Sequence, residues 1–121
     1  MFNTNKLDFN LLKEWATTPS LNLDTQDEEL LLADETYLDI ILQVLDTVAA
    51  TNYKQAILME ALCIIIYDNT VDNNANTNLK NRVIEELNGR LDKLKLADEW
   101  IGDYIKKVVY PQLRHFGEFS K

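Results

Sequence analysis

Glu60 is the residue with the clearest chemical potential in this chain. In residues 56–67, AILMEALCIIIY, it is the one side chain that is not apolar. A carboxylate on an otherwise apolar helix has its pKa raised unless a cation or hydrogen bonds meet it. That is how a general acid or a metal ligand is prepared. The plainer reading gives Glu60 a structural partner (Lys80, Arg82, Arg90 or Arg114) or a small gap that admits water. Ion pairs that only hold a fold together perturb pKa values too, so the plainer reading is preferred.

The other reactive side chains are isolated. Cys63 lies in the same apolar run and is the only cysteine. A lone buried thiol behaves as a small hydrophobe, whereas a nucleophile needs an exposed, electropositive setting. His115 is the only histidine, and Gln112 stands three residues before it. The Glu-x-x-His motif of di-iron bundles is therefore absent, and one His with one Cys does not make a zinc site. Asp72-x-Asn74-x-Asn76 begins like a calcium loop. It has Thr77 where the turn wants Gly and Val83 where the bidentate Glu belongs. No Gly-rich phosphate loop and no G-x-S-x-G occurs. The expectation is no catalytic residue, no metal and no cofactor, and a binding protein rather than an enzyme.

The elements that position these residues follow from spacing. The 56–67 run is too apolar to lie on a surface and too short to cross a bilayer, which needs about 20 apolar residues. Ile64, Ile65 and Ile66 favour a strand locally, but the length of the run and its Ala, Leu and Met content favour a helix. Asn52 is its expected N-cap and Asp68-Asn69-Thr70 its expected stop. Asp8 can cap a first helix over 7–15, with Leu11, Leu12 and Trp15 on one face, before Pro19 breaks the chain. Thr25 and Glu28 match a capping box ahead of Leu30-Leu31-Leu32. Tyr37, Leu38, Ile41, Leu42, Leu45, Val48 and Ala49 form one apolar stripe on a helix spanning 34–51.

Residues 68–78 are an Asn-rich loop. Leu79, Val83, Leu87, Leu91 and Leu94 mark a helix over 79–94, with Asn88-Gly89 as a possible early end. Trp100, Ile101, Tyr104, Ile105, Val108 and Val109 mark a last helix over 97–110, which Pro111 kinks or ends. Leu113, Phe116 and Phe119 follow in the tail. With three Gly and two Pro in 121 residues, 46% hydrophobic and 26% charged, the expected fold is all-α. It is read as a single-domain bundle of four to six helices, residues 1–121, around a buried central helix at about 53–67.

Charge is the remaining signal. The net charge is −8 and the pI near 4.5. Residues 1–50 hold ten acids against two bases, and residues 51–121 hold ten of each. Asp24, Asp27, Glu28, Glu29, Asp34, Glu35 and Asp39 fall within one stretch that contains no base. Helix capping accounts for some of them, because only a helix's first turn gains from an acid. The rest repel one another, which points to a surface that meets a basic protein partner. The concrete form expected is a small cytoplasmic inhibitor of the immunity or antitoxin kind, steered to a basic toxin or nuclease by charge.

An acidic whole disfavours nucleic acid. The bases from Lys80 to Lys95 are interleaved with Glu85, Glu86 and Asp92, as on a solvated helix face. No signal peptide or membrane span is read in the sequence. The alternative is a helical homodimer with a small-molecule pocket near Glu60 and Tyr67, a sensor or minor enzyme. A third reading gives the acids solubility alone.

Overall fold

The computed structural model describes residues 7–23, 27–71 and 76–116. The fold is all-α, with no strand among the described residues. The elements in order are α1 (Phe9–Thr17), α2 (Glu28–Leu32), a 3-10 turn (Glu35–Tyr37), α3 (Leu38–Thr47), α4 (Asn52–Val71), α5 (Thr77–Ala97), α6 (Glu99–Tyr104), a π turn (Ile105–Val109) and α7 (Tyr110–Phe116). Tertiary contacts gather into two compact units, 1–61 and 62–121, and the division falls inside α4.

In the first unit α1 packs against α3. Asp8 caps α1, accepting from the Leu11 amide at 2.9 Å, and Leu12, Trp15 and Ala16 are its buried face. The helix runs two residues past the expected end at Trp15, and Thr18, ahead of Pro19, is extended as expected. Asp34 accepts from the Thr36 amide at 2.8 Å and starts the 3-10 turn that leads into α3. Leu38, Ile41, Leu42, Val44 and Leu45 are buried. α3 stops at Thr47 rather than at 51, because the chain straightens at Val48 to bring the Thr51 amide onto the Ala16 carbonyl at 3.0 Å.

That bond sets the start of α4, whose cap is Thr51 rather than Asn52. The Thr51 hydroxyl accepts from the Lys54 amide at 3.4 Å and its carbonyl from the Gln55 amide at 2.9 Å. α4 is the buried helix expected, with Ala56, Ile57, Leu58, Met59, Ala61, Leu62, Cys63, Ile65 and Ile66 all covered. It does keep one more accessible stripe. Tyr53, Glu60, Ile64, Tyr67 and Val71 follow one another at helical spacing and are half-buried or exposed. The polar residues expected to stop α4 instead complete it. Asn69 Nδ2 donates to the Ile65 carbonyl at 2.9 Å and Thr70 Oγ1 to the Ile66 carbonyl at 2.8 Å, each one turn back.

In the second unit Asn76 caps α5 through the Leu79 amide at 3.0 Å, and Val83, Leu87, Leu91 and Leu94 are buried. Asn88-Gly89 does not end the helix, since packing on both sides of the pair outweighs the ~1 kcal/mol propensity cost of one glycine. Asp98 caps α6, accepting from the Trp100 and Ile101 amides at 2.8 and 3.2 Å. Gly102 is required there. A Cβ at that position would sit 2.8 Å from the Lys95 carbonyl oxygen, so only glycine lets α6 close on the end of α5.

Pro111 neither ends nor breaks the last helix. Proline supplies no amide for the carbonyl four residues back. The chain answers with a π turn just before it, in which the Tyr110 amide bonds the Ile105 carbonyl, and the helix continues to Phe116.

Candidate functional site

The densest polar cluster lies inside the first unit, around a lysine that sequence reasoning passed over. Lys54 is 1% exposed. Its ammonium donates to the Leu21 carbonyl and sits 4.2 Å from the centroid of the Trp15 ring. Glu28, 6% exposed, carries the nearby negative charge. Glu28 Oε2 accepts from Trp15 Nε1 at 2.9 Å and from the Leu23 amide at 2.7 Å. Burial pushes the Lys54 pKa down, and the attraction of Glu28 opposes that shift without cancelling it.

Local sequence builds this arrangement. Trp15 is on the buried face of α1, and a buried indole N–H needs an acceptor. Lys54, Leu58, Leu62 and Ile65 lie one above another along the most deeply covered line of α4. That spacing was the available signal for Lys54. The cluster joins α1, α2, α4 and the 21–23 segment. Both charged groups are enclosed, so no substrate reaches them, and their role is to fix the fold.

The acidic residues singled out from sequence separate into several roles. Glu28 is a correction: it is a buried acceptor, not a surface charge and not the third residue of a capping box, since α2 begins at Glu28 with Asp27 as its cap. Asp34 is exposed and caps the 3-10 turn. Asp27, Glu35 and Asp39 are exposed, and Glu29 is half-buried. Leu30, among them in sequence, is 58% exposed. Asp24 and Thr25 lie outside the described residues.

Glu60 is half-buried on the accessible stripe of α4, rather than enclosed by apolar side chains. Cys63 is buried and not in a disulfide. His115 is exposed on α7. Among the described residues no group of His, Cys, Asp and Glu could hold a metal, and no helix is long and apolar enough to cross a membrane. The calcium-like start at Asp72 and Asn74 and the tail residue Phe119 lie outside the described residues.

On α5 the interleaved charges pair along their own helix. Arg90 meets Glu86 at 3.4 Å, and Lys95 meets Asp92 at 3.3 Å and the Tyr110 hydroxyl at 3.3 Å. In the same unit Trp100, Asp103, Tyr104, Lys107 and Val108 line an open groove of about 280 Å³. No family model, curated protein or solved structure matches this chain.

Proposed function

We propose that this protein is a cytoplasmic binding module whose first unit presents an acidic face to a basic protein partner. The concrete form is a small inhibitor of the immunity or antitoxin kind. The observation that carries the reading is the placement of Lys54. Residues 1–61 hold eleven acids and three bases. Lys54, the first base after the acidic stretch, is turned inward together with Glu28, leaving Lys13 as the exposed base among the described residues of this unit. Asp27, Asp34, Glu35 and Asp39 meanwhile face solvent. Surface of one sign steers an oppositely charged partner and raises its association rate. Leu30 adds exposed apolar area beside the acids, of the kind an interface buries.

The test is kinetic. A panel of small basic nucleases is titrated over the immobilised protein at low and moderate salt, and nuclease activity is followed in parallel. The expected result is binding to at least one member, with an association rate that falls as the Debye length shrinks to about 8 Å near 0.15 M. The variant Asp27→Lys/Glu35→Lys/Asp39→Lys should slow association more than it speeds dissociation. Asp34 is left in place because it caps the 3-10 turn. Binding indifferent to both salt and charge reversal would refute the proposal.

A further inference from the structure

The second unit carries a helix face that the acidic reading does not use. Trp100, Asp103, Tyr104, Lys107 and Val108 recur at intervals of three, one, three and one, so they lie on one side of the rod formed by α6 and the π turn. The Trp100 and Tyr104 rings are stacked, 5.9 Å between centroids and 6° between planes. Trp100 is 49% exposed, and Leu96, at the end of α5, is 83% exposed. Asp103 and Lys107 flank the rings on the same face and form no ion pair or hydrogen bond, with each other or with any other group, among the described residues.

We propose that this face binds a second copy of the chain, antiparallel and across a twofold axis. Charge chooses that occupant. The face carries one acid and, four residues on, one base, so a uniformly acidic or uniformly basic partner is repelled by one of them. Antiparallel pairing of two copies sets Asp103 of each against Lys107 of the other, and the symmetry makes both pairs at once. It also carries Trp100 of each copy toward Val108 of the other, burying the ring that is now half in water.

The location on the chain agrees. Residues 62–121 hold nine acids and nine bases, whereas 1–61 carry the whole net charge of −8. Two copies approach with least repulsion through the neutral unit. One helix face buries less than the ~1,200 Å² of a standard interface, so the dimer is weak and concentration-dependent.

The experiment is sedimentation velocity from low micromolar to near-millimolar protein, with far-UV circular dichroism to confirm that each variant is folded. The wild type should pass from monomer to dimer across that range. Asp103→Lys and Lys107→Asp, each of which sets like charge against like, should each weaken association by about tenfold. An equimolar mixture of the two variants should associate at least as well as wild type, because their mismatches complement one another. Trp100→Ala, which changes no charge, should also weaken the dimer. A wild type that stays monomeric at the highest concentration overturns the proposal. So does a dimer that ignores all the substitutions, or a mixture no better than its components.

Discussion

Removing the Glu28 carboxylate tests the buried cluster most directly. Glu28→Ala orphans the indole N–H of Trp15 and the amide of Leu23, both now held by Oε2 at 2.9 and 2.7 Å. Each buried donor left without a partner costs about 1–3 kcal/mol. The substitution also strips the countercharge from Lys54, and breaking a buried pair from one side costs about 3–5 kcal/mol. These contributions share one carboxylate and do not add, so the expected loss is about 3–5 kcal/mol, a large part of a typical domain stability.

Glu28→Gln keeps an acceptor oxygen for the two donors but still leaves the Lys54 charge without its countercharge, so it should lose less than Glu28→Ala and fall near the lower end of that range, about 3 kcal/mol. Lys54→Met preserves volume but leaves the Leu21 carbonyl without its donor. Combined, Glu28→Gln and Lys54→Met should cost at least ~1 kcal/mol less than the sum of the two alone, since neither charge is then left buried by itself. The assay is urea unfolding followed by tryptophan fluorescence in a Trp100→Phe background, so that the signal is that of Trp15. A Glu28→Ala protein within ~0.5 kcal/mol of wild type, or strictly additive single changes, would refute the reasoning.

Five further outcomes follow from particular residues. Because burial lowers the Lys54 pKa, the folded state holds fewer protons than the unfolded state between the folded pKa and 10.5, so this residue's contribution to stability rises with pH across that window. Lys95, whose pKa the Tyr110 hydroxyl and Asp92 raise, contributes stability that is present below 10.5 and lost as pH rises through its folded pKa; the difference between wild type and Lys54→Met in alkaline urea titrations isolates the Lys54 slope, and a flat difference would contradict its assignment. Gly102→Ala should destabilise by about 1–3 kcal/mol in thermal unfolding, because its methyl meets the Lys95 carbonyl oxygen. Gly89→Ala, where a Cβ meets nothing within 4 Å, should stabilise by about 0.5–1 kcal/mol. Cys63, 3% exposed, should react with a thiol reagent only at the rate of unfolding, and immediate labelling would show α4 packed otherwise.

The helices were legible because apolar side chains recur at helical spacing, as with Val83, Leu87, Leu91 and Leu94, which the structure buries together. Their ends were less so, because ends depend on bonds that spacing does not reveal. α3 stops early since Thr51 is drawn to the Ala16 carbonyl, a partner thirty-five residues away. Asn69 and Thr70 looked like a stop, yet each bonds a carbonyl one turn back and lengthens α4. Pro111 looked like an end too. The rule that proline breaks a helix assumes a regular α ladder, and a π turn placed before it removes the conflict.

Charge was legible in amount and not in place. The excess of acids in the first part of the chain is plain from residue counts, but counts treat Glu28 as one more member of a surface stretch. Trp15 decides otherwise. A buried indole on α1 needs an acceptor, α2 delivers Glu28 to it, and a carboxylate carried inside in this way attracts a cation. Lys54 supplies that cation from within the line of residues that α4 buries most deeply. Each step is a local requirement that could be stated from sequence, but their conjunction needs three segments brought together. Moving this one pair inward leaves the net charge of the first unit unchanged and concentrates what remains outside. One acid and one base leave the surface together, so the ratio of acids to bases outside rises while the net charge stays the same.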